Sequence, residues 1–143
     1  MTLTITLIFA ACAALVNLWL AIRIGKLRTT EKISHGDGGH GLLGRRMRAQ
    51  LNFAENTPVV LILVAALELN GTPALWLWIL AVAYILGRIV HALGMDPEEQ
   101  NWMRGAGISA SMLVTLVLVG LALFAGYGHL NAPAMQNGTV IPV

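Results

Sequence analysis

Arg48, Asn52 and Glu55 stand four and three residues apart, a spacing that sets all three on one face of a helix. Arg45 extends the same stripe one turn earlier. A second stripe, Tyr84, Arg88 and His91, repeats the spacing later in the chain, and Arg104 opens a third polar point. Three arginines against one carboxylate leave an excess of positive charge that pairing within the protein does not neutralise. Arginine offers a planar fork of donors that grips carboxylates two bonds at a time. The combination therefore predicts a site for an anionic ligand. The bland alternatives are a structural Glu55–Arg88 ion pair and arginines whose heads reach out to the membrane interface.

These residues are set in an unusually apolar chain. Of 143 residues, 57% are hydrophobic and only 11% charged. A soluble domain needs about 25% charge, whereas a membrane helix needs ~20 apolar residues to cross ~30 Å of hydrocarbon. Four stretches meet that need or come close to it: 3–22, 52–69, 74–93 and 108–127. With their flanks they predict helices over about 2–27, 42–69, 73–94 and 102–127, with a loosely ordered tail at 128–143. The fold class is thus an all-α membrane protein, a four-transmembrane-helix bundle forming one domain over 1–143. Asn70-Gly71-Thr72-Pro73 breaks the second helix from the third, with Pro73 suited to the third helix's first turn. Pro58 removes a backbone donor inside the second helix and predicts a bend beside the polar stripe.

All nine Lys and Arg residues lie within 23–48 or at Arg88 and Arg104, although the net charge is only +2. The positive-inside rule then puts loops I–II and III–IV in the cytoplasm and both termini outside. In that orientation Glu55 and Arg88 both lie one to three turns inside the cytoplasmic boundary, and Arg104 stands at it. Burying such groups costs ~2.5–3.5 kcal/mol each at a helix centre, so they are expected to meet partners, a cavity or a ligand. The small residues Gly105-Ala106-Gly107-Ile108-Ser109-Ala110-Ser111 predict close helix contact.

The other candidate chemistry is poor. The single Cys12 sits inside the first apolar stretch and excludes a disulfide framework. His35-x-Asp37-x-x-His40 lies in a glycine-rich loop without further ligands, so no metal site is expected. His129 is expected to stand alone beyond the fourth helix. Basic residues without interleaved aromatics argue against nucleic acid.

The run 46–58, Arg-Met-Arg-Ala-Gln-Leu-Asn-Phe-Ala-Glu-Asn-Thr-Pro, resembles the second-helix signature of the MAPEG family, membrane-associated proteins in eicosanoid and glutathione metabolism. The run 87–94, Gly-Arg-Ile-Val-His-Ala-Leu-Gly, is similar to that family's third-helix motif, and Arg104 stands where its fourth helix begins with arginine. Gly36-Asp37-Gly38-Gly39 is similar to the loop of bacterial members. The resemblance implies a homotrimer in the bacterial inner membrane, binding glutathione between subunits on the cytoplasmic side. It implies glutathione binding by Arg48, Asn52, Glu55, Arg88 and His91, with Arg28 as a further basic contact, and Arg104 as the catalytic residue holding the sulfur as thiolate.

The implied activity is a glutathione transferase conjugating lipophilic electrophiles from the bilayer, together with reduction of lipid hydroperoxides. Glutathione is the cosubstrate and no metal is required. A non-catalytic lipid- or glutathione-binding protein is the alternative; retention of Arg104 favours catalysis. Departures from the family pattern at Gln50, Met95 and Gly105 argue against prostaglandin isomerase chemistry and leave thiolate conjugation intact.

Overall fold

The computed structural model describes residues 2–130 and, by backbone alone, 134–136 and 139–141. Four helices follow one another: α1 (Thr4–Glu31), α2 (Gly41–Leu69), α3 (Ala74–Gly94) and α4 (Trp102–Leu130). All four are long and apolar enough to cross a membrane. Beyond them β1 (Ala134–Gln136) and β2 (Thr139–Ile141) pair antiparallel within the tail expected to be loosely ordered.

α1 runs four residues past its expected end and stops where Lys32 takes a left-handed conformation, φ 53°. Its first turn carries no acidic residue, so other groups must satisfy its free amides. Glu68, at the far end of α2, supplies them. Its carboxylate accepts from the amides of Ile5 and Thr6 at 2.8 Å each, and from the Thr6 hydroxyl at 2.6 Å. A carboxylate against a helix N-terminus also meets the positive end of the dipole. α2 is capped by His40, whose Nδ1 accepts from the Leu43 amide at 3.3 Å.

Two apolar layers fill the bundle. Towards the Glu68 end, Ile5, Phe9, Val60, Val64, Leu67, Leu77, Tyr84 and Leu118 pack together. Towards the arginine-rich end, Ala13, Val16, Leu20, Phe53, Ala92 and Met95 form the second cluster. Many large apolar side chains on every helix remain exposed, Leu15, Ile62, Leu75 and Phe124 among them. That is the surface a bilayer requires.

α3 and α4 make the tightest approach. A Cβ added at Gly107 would stand 2.4 Å from the His91 amide nitrogen, and one at Gly94 would stand 2.3 Å from the Arg104 nitrogen. Only hydrogen fits at either position. The small-residue opening of α4 therefore fixes where Arg104 sits relative to α3. His129 was expected to stand alone; instead it lies within α4 and its Nε2 bonds Asn70 Oδ1, tying the end of α4 to the α2–α3 connection.

Candidate functional site

The arginine-rich ends of two helices, α1 and α2, meet at Asp96, just past the end of α3. Its carboxylate pairs with Arg23 of α1 and with Arg46 of α2, the latter at 3.2 Å. Its carbonyl accepts from Arg45 Nε at 3.1 Å. Arg23 also lies over the Trp19 ring, 4.6 Å from its centroid, which makes Trp19 a packing partner. Asp96→Asn would leave two partly buried guanidiniums without their carboxylate. Its expected cost is about 1–2 kcal/mol of stability, read as a lower melting midpoint in detergent. An unchanged midpoint would make Asp96 dispensable to the clamp.

Beside this hub lies an open cleft of about 540 Å³, lined by Asp37, Arg45, Arg48, Asn52, Met95 and Arg104, with Gly41 and Gly44. Arg48 and Arg104 are exposed. Among the described residues, no hydrogen bond or ion pair takes up either guanidinium. Arg45 spends its Nε on Asp96 and keeps its terminal nitrogens for the cleft. Three arginines thus face one open space with Asp37 as the carboxylate on its wall. Such a surplus suits a ligand carrying several negative oxygens.

His91 stands behind the cleft. It is buried, and its Nδ1 lies 3.1 Å from the Arg104 carbonyl oxygen, locking α3 to the start of α4. Arg88 is 4% exposed and points elsewhere: Nε donates to the Tyr84 hydroxyl at 3.1 Å, and the guanidinium lies 5.1 Å from that ring's centroid. The Tyr84 hydroxyl also meets Thr57 Oγ1 at 3.3 Å, one residue before Pro58, and α2 continues through that proline. Nη1 of Arg88 and Nε2 of His91 are buried without a partner among the described residues. Arg28 sits to one side, with Nη2 3.4 Å from Met47 sulfur and Nη1 3.5 Å from the Ile33 carbonyl oxygen.

Of the residues singled out in the sequence, one cleft gathers Arg48, Asn52 and Arg104. Glu55 is exposed on α2 away from it and forms no ion pair with Arg88 among the described residues. Helix geometry explains the split. Each residue turns the chain about 100°, so Asn52 lies about 40° and Asn56 about 80° round from Arg48 along an inclined row. Grooves between packed helices follow such rows. Glu55, seven residues on from Arg48, stays about 20° to the other side. Sequence spacing missed Asp96; the signal was an acid lying between two arginine-rich helix ends. No cluster of metal-binding side chains occurs among the described residues.

Comparison with known proteins agrees with this architecture. The chain is similar to the inner membrane protein YecN of Escherichia coli strain K12, with 26% identity over 115 residues, covering 80% of this chain and 87% of that protein. The same figures hold for YecN of E. coli O6:H1. A model of the MAPEG family matches residues 6–124. With four membrane-length helices and that match over most of its length, the chain is a membrane protein that belongs to the MAPEG family.

Proposed function

We propose that this protein is a membrane-bound glutathione transferase that conjugates glutathione thiolate to lipophilic electrophiles and reduces lipid hydroperoxides. The observation that carries the reading is the cleft in which Arg48 and Arg104 face one open space with no carboxylate among the described residues bonded to either. Glutathione brings two carboxylates, an ammonium, two amides and a thiol. Arg45 and Arg48 take the carboxylates, Asn52 bridges the backbone amides, and Arg104 at the positive end of α4 holds the sulfur. Thiolate, not thiol, is the attacking species. The bilayer delivers the electrophile, so positioning and ionisation supply most of the rate. His91 supports this cleft from behind through its bond to the Arg104 carbonyl, while Arg88 braces Tyr84 on the neighbouring turn of α3.

Glu55 and Arg28 enter through assembly. An exposed carboxylate at membrane depth is costly, and a second copy laid against that face of α2 would cover it. We therefore place the site between subunits of a homotrimer, where Glu55 takes the glutathione ammonium and Arg28 adds a cation. A native mass of one protomer in mild detergent would refute that assembly. The protein sits in the inner membrane with loops I–II and III–IV in the cytoplasm and both termini outside.

Calorimetric titration of glutathione into detergent-purified protein, with thiolate absorbance followed in parallel, tests the reading. Saturable heat with rising thiolate absorbance at neutral pH is expected. Heat without thiolate would make the protein a glutathione-binding protein only, and no heat would sink the proposal.

A further inference from the structure

Among the described residues, polar bonds tie α1 to the rest of the bundle at three levels. At its start the Glu68 carboxylate of α2 holds the amides of Ile5 and Thr6 and the Thr6 hydroxyl. Midway, Asn17 Oδ1 accepts from Gln50 Nε2 at 3.3 Å. Arg23 and Arg28 make the ties at the arginine-rich end. Between Thr6 and Asn17, about 16 Å of helix, no side chain among the described residues bonds to another helix. Only Phe9, Ala13 and Val16 are buried over that length. Apolar packing is a weak tie in a bilayer, because lipid tails solvate an apolar face about as well as another helix does. Glu68 therefore carries most of the hold on the first three turns of α1.

Beside those turns lies an apolar crevice of about 110 Å³, lined by Ile8, Phe9 and Cys12 of α1 and by Trp78, Val82 and Ile85 of α3. Phe9 meets the Tyr84 ring edge to face, with centroids 5.9 Å apart. All nine Lys and Arg residues stand within 23–48 or at 88 and 104, towards the other end of the bundle. The titratable groups of the neighbouring elements at the Glu68 end are Tyr127 and His129 of α4; His129 bonds Asn70, two residues from Glu68. The first turns of α1 and α3 contribute none before Cys12 and Tyr84. A protonated His129 favours the ionised carboxylate, so it opposes loss of the Glu68 charge.

We propose that α1 is a strap latched by Glu68, and that proton uptake by this carboxyl releases its first three turns and widens the crevice towards α3. The ionised group accepts all three bonds. Protonation turns one of its oxygens into a donor, which then faces the amide of Ile5 or Thr6, itself a donor. The negative charge that met the positive end of the α1 dipole is lost as well. The latch thus holds at neutral pH and is lost as pH falls through the titration of the carboxyl. Asn17 and Arg23 keep the rest of α1 in place. On the topology proposed above the strap responds to acid on the outer side of the membrane. The latch itself does not depend on the transferase reading.

The chain's single cysteine, Cys12, is exposed and lines the crevice, so a nitroxide attached to it reports the strap in the intact protein. In an uncharged detergent the label is expected to be held at pH ~7. Its freely moving fraction is expected to rise about tenfold as pH falls to ~3, below the ordinary glutamate value of ~4.3, and to return on neutralisation. Glu68→Gln is a neutral stand-in for the protonated acid. It is expected to show the free component already at neutral pH and to lose the acid response, which separates Glu68 from Asp37 and Asp96 at the other end. Thr6→Val removes one of the three bonds and keeps the charge, so it provides a second check should Glu68→Gln not fold. It is expected to release at a pH about 0.5–1 unit higher. A wild-type label that moves alike across the titration, a Glu68→Gln label held as in the wild type, or an acid response kept by that variant each overturns the strap. A Thr6→Val midpoint equal to that of the wild type does so too.

Discussion

Gly107→Ala is expected to lower the melting midpoint of the detergent-purified protein far more than any other single methyl added to α4. The new Cβ would lie 2.4 Å from the His91 amide nitrogen and 2.6 Å from the Gly87 carbonyl oxygen. Carbon needs about 3.5 Å from such neighbours, so α3 and α4 must part by roughly 1 Å. Both obstructions are backbone, and no side chain can swing away. Overpacking of this kind costs about 1–3 kcal/mol, and more where the surroundings cannot give. Gly120→Ala is the internal control, because a Cβ there meets nothing within 4 Å and alanine is the better helix former. Equal midpoints for the two variants would mean that the helices do not approach as closely as described. The damage is also expected to reach the cleft, since parting the helices breaks the bond between His91 and the Arg104 carbonyl.

That coupling shows which parts of the protein the sequence could disclose. The helices were legible because apolar length is a one-dimensional property, and 52–69 or 74–93 needs no partner to be recognised. The polar stripes were legible as faces, since Arg48 and Asn52, or Arg88 and His91, are fixed by helical repeat alone. What each face meets was not. Arg88 and Asn52 lie on faces of similar depth, yet they line different pockets, because that depends on how α2 and α3 are each rotated against α4. Asp96 stayed hidden for the same reason. Its pairings with Arg23 and Arg46 span 73 and 50 residues, and local spacing carries no trace of contacts so remote. His129 looked solitary because Asn70, its partner, lies 59 residues away. Glycines 94 and 107 read as generic small residues until their facing backbones were known.

Arg104→Ala is expected to keep glutathione binding but lose the thiolate and most conjugation at neutral pH. Arg45, Arg48 and Asn52 still line the cleft in this variant, so affinity is expected to fall only severalfold. The sulfur, however, loses the one exposed guanidinium at the start of α4. A free thiol ionises near pH ~8.5. If Arg104 lowers that by ~2 units, about 2.7 kcal/mol of differential stabilisation, its removal cuts the thiolate fraction at pH 7 roughly 25-fold. Conjugation of an aryl halide is expected to drop at least that much. The pH profile separates this role from a structural one. Turnover of the alanine variant is expected to climb steeply between pH ~7 and ~8.5 as the unaided thiol ionises, while the wild type stays nearly flat. Arg104→Lys retains a point charge without the planar fork and is expected to fall between the two. A variant that is uniformly slow at every pH would mark Arg104 as a residue that shapes the cleft through His91 and Gly94. Wild-type turnover in Arg104→Ala would place the thiolate's counter-charge elsewhere.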